Sequence, residues 1–263
     1  MKLKILITTI IIILYVIFII YIIYSIFNNI QNIVFLNKNE LSTFLINDND
    51  NYYKSFHKKD LIVRKVSNID EYNKIISNST SNFSIYQKLK IIFCINKLNK
   101  ILINVKYPWF DGKKAIQTSW KFGSIHDYKY ENGFAHTRSD LIILPQINLD
   151  NYSQYDLIKL IVHEKIHIYQ KMYPNDIENY IEYNNYYKFK KRSEVVDSRA
   201  NPDLNEWVYN NSNNQTLMAI YKSNPINISD VTFHPSNNDN DEHPFEKMAY
   251  DMSESITKLL YNI

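Results

Sequence analysis

The stretch from residue 153 to residue 173 reads SQYDLIKLIVHEKIHIYQKMY and carries the strongest helical signal in the chain. Ser153, followed three positions later by Asp156, is a helix start signal of the capping type. Pro174 follows directly, at a position where a helix usually ends. We therefore predict a helix over Ser153–Tyr173, with an apolar frame formed by Leu157, Ile158, Leu160, Ile161 and Val162.

The segment His163-Glu164-Lys165-Ile166-His167 within this helix has the spacing of a metal-binding HExxH motif. Residues four apart share one face of a helix, so the imidazoles of His163 and His167 can reach the same ion. Glu164 lies about 100° round the helix from His163, where it can take a proton from an activated water. Two nitrogens and one carboxylate suit Zn²⁺, whereas the alternative interpretation is a pair of exposed histidines on a surface helix.

This motif resembles that of the zincin metallopeptidases, and its arrangement resembles the gluzincin branch, in which a downstream helix donates a glutamate ligand. The chain is also similar to uncharacterised HExxH proteins of large DNA viruses over about Trp109 to Ser255. The segments that carry this second resemblance are residues 136–140, 163–174, 201–205 and 242–250. The resemblance implies a zincin-like catalytic domain, a zinc cofactor and hydrolysis of a polypeptide substrate, with Glu164 as general base.

The third zinc ligand is open between three downstream residues, since ligand spacing alone does not decide it. Glu246 is favoured because it lies early in a predicted helix, and Ala249 follows on the same face, where a small side chain permits close approach. Glu194 resembles the gluzincin pattern of a glutamate followed by an aspartate, but its spacing is one residue short. His243 ranks third, and the predicted metal ligands are therefore His163, His167 and Glu246.

Other polar residues are candidates for supporting roles around the metal. Asp203 and Asn205 could orient the ligands, although Asn-Pro-Asp is equally a turn sequence. A donor to the transition-state oxyanion is also needed, and the candidates are Tyr250, which ranks first, His243, His136 and Arg138. By the family resemblance, the strand over Asp140–Leu144 would pair with an extended substrate.

The N-terminus contains an uncharged apolar run from Ile5 to Phe27. About 23 residues of this kind are long enough to span a bilayer as a helix. The run is too long for a signal-peptide core, and no small-residue cleavage site follows it. Because Lys2 and Lys4 precede it, the positive-inside rule predicts a cytoplasmic stub (1–4), a signal-anchor helix (5–27) and a body that is lumenal, extracellular or on a virion membrane.

The rest of the chain predicts an α+β body over residues 52–263, preceded by a polar juxtamembrane connector over residues 28–51. Helices are predicted over Ser84–Ile103 and from His243-Pro244 onward, and a strand over Asp140–Pro145. Paired strands are predicted over Val105–Gly123, with a turn at Asp111-Gly112, and a polar loop region over Ser212–Asp241.

Composition excludes some other classes of function. The formal net charge is +3, and about +1 without Lys2 and Lys4, so the body carries no electrostatic footprint for nucleic acid. The one cysteine, Cys94, lies in an apolar run and is expected in the core, which leaves no internal disulfide and no catalytic thiol.

The sequence thus predicts a membrane-anchored zinc metallopeptidase. The alternative is a catalytically silent metal-binding protein of a membrane or virion, although the motif glutamate has no purely structural need. A third hypothesis is a binding module built on the aromatic segments around Trp109, Trp120 and Trp207.

Overall fold

A computed structural model describes residue 9 and residues 11–17, 32–126, 128–235, 238 and 242–261. The chain divides into two units, Met1–Ile33 and Val34–Ile263. In the first unit, Thr9 and residues 11–17 are helical and exposed. The predicted span over Ile5–Phe27 lies largely outside the described residues, and within the described ones no helix combines the length and apolarity needed to cross a bilayer.

The second unit is a mixed α+β body, as the sequence predicts. Its helices are α1 (Lys38–Asn47), α2 (Lys58–Val63), α3 (Ile69–Ser79), α4 (Ile85–Leu102), α5 (Gly112–Gln117), α6 (Gln146–Asn151), α7 (Gln154–Met172), α8 (Pro174–Tyr183) and α9 (Pro244–Tyr261). Its strands are β1 (Ile33–Phe35), β2 (Thr80–Ser81), β3 (Lys106–Tyr107), β4 (Phe110–Asp111), β5 (Trp120–Ile125), β6 (His136–Arg138), β7 (Leu141–Pro145), β8 (Tyr187–Lys191), β9 (Trp207–Asn210), β10 (Thr216–Tyr221) and β11 (Val231–His234).

The main sheet has the strand order β1-β5-β7-β6, and β2 also pairs with β5. β5 and β7 run parallel, whereas β6 is antiparallel to β7. Every residue of β7 is buried, which explains its continuous apolar sequence. A second sheet, β11-β10-β9-β8, is antiparallel throughout, and β3 and β4 form a separate short hairpin.

The three long predicted helices are confirmed, and their ends follow the expected chemistry. Ser153 is the N-cap of α7, where its hydroxyl accepts a hydrogen bond from the Asp156 amide at 3.2 Å. Ser84 caps α4 in a reciprocal arrangement with Gln87. Pro174 occupies the first turn of α8. Backbone N–H groups in a first turn have no acceptor within the helix, so the helix loses no hydrogen bond to proline there.

The structure differs from the sequence expectation in three segments. Residues 32–51 of the predicted connector include β1 and α1, and α1 buries Leu41 and Leu45 completely in the core. The predicted loop region over Ser212–Asp241 contains β10 and β11. The high average polarity of a segment does not exclude a strand. A strand with one solvent-facing side needs only every second residue to be apolar.

The prediction of paired strands over Val105–Gly123 is right for the β3–β4 hairpin and for a strand at residues 120–123, but wrong for Gly112–Gln117, which is the helix α5. Asp111 does not turn the chain into a second strand; instead it is the N-cap of α5 and accepts a hydrogen bond from the Lys113 amide. Gly112 is required by close packing, since a Cβ there would lie 1.8 Å from the carbonyl oxygen of Leu102. β5 then joins the main sheet.

Candidate metal centre

The two histidines of the motif lie on one face of α7, and α9 packs against that face. The Nε2 atoms of His163 and His167 are 3.1 Å apart. From the first turn of α9, Oε2 of Glu246 lies 3.5 Å from each of these nitrogens. The two helices therefore place three potential ligand atoms around one point, and these residues form the candidate metal group of the described chain.

The separations of these three atoms fit a tetrahedral zinc site. Ligand atoms at about 2.0–2.1 Å from a tetrahedral ion lie about 3.3–3.4 Å from one another. The observed 3.1 Å and 3.5 Å distances bracket that value, so only small side-chain adjustments are needed. One imidazole and one carboxylate are deeply buried, which favours neutralisation by a bound cation.

His167 is oriented by a neighbour that the sequence analysis did not identify. Its Nδ1 is 2.8 Å from Oε1 of Gln170, whose amide nitrogen in turn donates to the carbonyl of Phe245 at 2.9 Å. A proton on Nδ1 leaves the lone pair of Nε2 facing the metal position. The sequence signal was available, because Gln170 follows His167 by three residues on the same helix.

Glu246 is held by a second unpredicted residue, Asn201. Its Nδ2 donates to Oε1 of Glu246 at 3.0 Å and lies 3.4 Å from Oε2 of Glu242. Glu242 is also bound through both oxygens by the guanidinium of Arg199. Burial alone would raise the pKa of Glu246, but the adjacent His167 and His163 hold it well below its usual range.

Glu164 is almost completely buried beside the ligands. Its Oε2 has no hydrogen-bond partner within the described chain, an arrangement that costs free energy unless a ligand or water completes it. Burial, reinforced by the negative charge of Asp203, raises the pKa of Glu164 well above its usual range. A cation bound nearby would favour the ionised form of this carboxyl.

A cleft of about 740 Å³ opens onto these residues. Its walls come from the sheet edge at β6, from α7, from the segment around Asn201 and from α9. The lining residues include Phe134, His136, His163, Glu164, Glu246 and Tyr250. The volume falls in the range of ligand-binding pockets and exceeds what a bound ion alone requires.

The other two candidates for the third ligand have different roles. Glu194 is exposed in a single helical turn (Arg192–Glu194), where it accepts a hydrogen bond from the Lys191 amide. His243 has both ring nitrogens engaged, with Nδ1 accepting from the Phe245 amide and Nε2 lying 3.1 Å from the carbonyl oxygen of Trp207. Burial lowers the pKa of His243 to about 3, consistent with a neutral structural imidazole.

Of the four candidates for the oxyanion donor, Tyr250 contacts His163 directly. Its ring packs edge-on against His163 with centroids 4.7 Å apart. His136 lines the cleft, but its ring nitrogens contact the Phe134 carbonyl and the Tyr130 hydroxyl. Arg138 is fully buried and ion-paired with Asp48 and Asp50, which excludes it from this role.

Of the two candidates for orienting the ligands, Asp203 lines the cleft and lies close enough for its negative charge to act on Glu164 and His167. Oδ1 of Asp203 accepts hydrogen bonds from the amide and hydroxyl of Thr137, so this side chain fixes the cleft wall. Asn205 bonds the Trp207 amide and the Tyr209 hydroxyl in a turn. The substrate-pairing strand expected at Asp140–Leu144 is β7, whose two edges are occupied by β5 and β6; the edge beside the cleft belongs to β6.

Comparisons of the chain with protein-family models, with curated proteins and with solved structures find no match. The function must therefore be argued from the chemistry of the site.

Proposed function

We propose that the protein is a membrane-anchored zinc metallopeptidase in which His163, His167 and Glu246 hold the ion. The observation that carries this proposal is the convergence of three ligand atoms, 3.1–3.5 Å apart, beside a buried carboxylate oxygen without a partner. A purely structural metal site has no need of that fourth residue, Glu164, at the mouth of a cleft.

The roles of the chain's own residues follow from where they lie. Zinc, when bound, would polarise the scissile carbonyl and lower the pKa of a water molecule in the cleft. Glu164 accepts the proton of that water and later delivers it to the leaving amine. Tyr250, beside His163, is the proposed donor to the oxyanion. An extended polypeptide substrate would lie in the cleft beside β6, where Thr137 already uses its backbone N–H on Asp203 and its carbonyl on Lys171.

The proposed location of the enzyme rests on its N-terminal sequence. The uncharged run over Ile5–Phe27 has the length of a bilayer span, and Lys2 and Lys4 place its N-terminus on the cytoplasmic side. The catalytic body would then act on polypeptides in a lumen, outside the cell or on a virion membrane. Protease added to the cytosolic side of intact vesicles should leave the body undigested, and its digestion would contradict this orientation.

The mechanism is tested by Glu164→Gln in the full chain. This change keeps the size of the side chain but removes its ability to accept a proton, so we expect normal zinc content and loss of peptide cleavage by at least about 100-fold. Equal cleavage by variant and parent would rule out the mechanism. Full zinc occupancy of the parent without cleavage of any member of a peptide library would favour the catalytically silent metal protein.

The ligand set is tested separately by zinc content. Glu246→Ala should abolish zinc retention, because two imidazoles alone leave the ion with weak and incomplete coordination. Glu194→Ala is the matched control, since that carboxylate is exposed and accepts a hydrogen bond from the Lys191 amide, and it should bind zinc like the parent. Unchanged zinc in the Glu246 variant, measured by atomic absorption, would exclude this residue as a ligand.

A further inference from the structure

Helix α4 exposes an apolar face that nothing in the described chain covers. Ile85 is 80% exposed, Tyr86 67%, Leu89 47% and Phe93 51%. On a helix these four positions fall within an arc of about 100°, so they form one continuous stripe along the first ten residues. Single exposed apolar residues are common on protein surfaces, but a continuous apolar stripe on one helix usually marks an interaction surface.

The opposite side of α4 is anchored firmly in the protein core. Ile91, Cys94, Ile95 and Leu98 are all completely buried. The helix is therefore apolar on two faces, and only one of them is needed to hold it in the fold. The outer face needs another explanation.

The charges on this helix are all positive. α4 carries Lys88, Lys90, Lys97 and Lys100 and contains no aspartate or glutamate. Nζ of Lys97 lies over the Phe93 ring, 4.9 Å from its centroid, at one border of the stripe. Apolar and aromatic side chains bordered by lysines are the pattern of a helix that lies in the interface of a bilayer.

The place where the chain enters the body points to the same partner. Phe35 of β1 packs against Phe83, just before α4, with ring centroids 5.3 Å apart, and Lys88 lies over the Phe35 ring. In the sequence, Val34 comes seven residues after the end of the uncharged run at Phe27. Seven residues reach at most about 25 Å, so an anchored chain keeps this end of α4 close to the bilayer.

We propose that the stripe of Ile85, Tyr86, Leu89 and Phe93, called here the α4 face, lies on the surface of the lipid bilayer. Lys88, Lys97 and Lys100 contact phosphate groups of the lipids, while the apolar side chains enter the headgroup boundary. A second copy of the chain is a poorer partner, because a symmetric contact would bring two all-positive helices together. The proposal rests on the N-terminal anchor and does not depend on peptidase activity.

The test uses the full chain reconstituted in vesicles of phosphatidylcholine with a smaller fraction of phosphatidylglycerol. Leu89→Cys carries a fluorophore on the α4 face, and Val196→Cys is the matched control, since Val196 is exposed and apolar but lies on another segment. The native Cys94 is buried, and burial raises the pKa of its thiol to about 12, so it does not compete for the label. We expect nitroxide-bearing lipids to quench the label at position 89 and aqueous iodide to quench only the label at position 196.

Flotation of the vesicles separates failure of the anchor from failure of the face. Protein that floats with the vesicles while the label at position 89 stays open to iodide would overturn the α4 proposal and leave the anchor intact. Protein that does not float would overturn both. A label at position 89 that is shielded from iodide yet not quenched by nitroxide lipids would identify a protein contact and equally overturn the proposal. As a second variant, Lys97→Gln with Lys100→Gln should reduce the nitroxide quenching at position 89.

Discussion

Asn201 connects two acids of the site although it lies more than forty positions before either of them in the sequence. Its amide donates to Glu246, the proposed third ligand, and reaches Glu242, which is itself paired with Arg199. A ligand carboxylate held in this way keeps one oxygen directed at the metal and loses less entropy when the ion binds. The amide of Asn201 thereby fixes the direction of the Glu246 carboxylate.

Asn201→Asp should weaken zinc binding by about 10–100-fold, the usual effect of losing a partner of a metal ligand. The aspartate has the same shape, but it cannot donate and it adds a negative charge beside two carboxylates. The dissociation constant can be measured by competition with a chelating dye. Asn213→Asp, which adds the same charge in an exposed turn, should bind zinc like the parent. Equal affinity in both variants would show that Asn201 has no part in holding Glu246.

Helices α7 and α9 form the site jointly, so the distance between them decides whether the ligands meet. Ala249 lies three residues after Glu246 and is completely buried, with Met248 and Ile256 also buried on the same helix. The ring contact between Tyr250 and His163 shows that this part of α9 faces α7. The sequence expectation that Ala249 permits a close approach of the two backbones stays a prediction, and its complete burial is consistent with it.

Ala249→Leu should therefore push α9 outward. Inserting three further carbon atoms into a close-packed contact costs about 1–3 kcal/mol of unfolding free energy. The same displacement separates Glu246 from the histidines, so zinc affinity should fall together with the melting temperature. Ser255→Leu places the same side chain on an exposed position of α9 and should change neither quantity. Unaltered zinc affinity in the Ala249→Leu variant would contradict the close-approach argument.

Buried ion pairs join the first part of the body to the walls of the cleft. Arg64 binds Glu131 through Nε at 2.8 Å and Nη2 at 2.6 Å, and the Tyr52 hydroxyl donates to the same carboxylate at 2.9 Å. Arg138 forms a comparable pair with Asp48. These contacts cross more than sixty residues of sequence, and they explain why residues 34–51 of the predicted connector belong to the α+β body.

The Arg64–Glu131 pair predicts a particular dependence of stability on pH. Burial alone would raise the pKa of Glu131, but the Arg64 guanidinium lowers it to about 2, from an ordinary value of 4.5. The pair therefore contributes its full stabilisation above pH 4.5, and the contribution is lost as the pH falls from 4.5 to 2. In the zinc-free protein, Glu131→Gln should lower the unfolding free energy at pH 7 by about 3 kcal/mol, because Arg64 stays buried without its charge partner.

The check is denaturant unfolding at several pH values in the presence of a chelator, so that pH-dependent release of zinc does not add to the slope. The Glu131 variant should lose less stability than the parent between pH 4.5 and 2. Glu182→Gln, at an exposed position, should follow the parent curve. Parallel curves for all three proteins would contradict the role given to the pair.

Local chemistry in the sequence was sufficient to predict the long helices and the residues that share their faces. The caps at Ser84 and Ser153, the prolines at 174 and 244, and the four-residue spacing of His163 and His167 all act within a few positions of the chain. Gln170 also acts locally, since it contacts His167 three residues before it on the same helix. For such features the backbone itself brings the interacting groups together, so sequence order is a sufficient guide.

Only the tertiary structure decided which distant groups meet. The spacing of residues left Glu246, Glu194 and His243 open, whereas the packing of α9 on α7 places Glu246 alone beside both histidines, and hydrogen bonds occupy the other two. The tertiary structure also shows that β6, and not β7, is the edge strand beside the cleft. It brings Asn201 within hydrogen-bond distance of Glu246. These contacts depend on how the helices and strands pack against one another. Packing joins residues that are far apart in the sequence, so local patterns in a single sequence do not predict it.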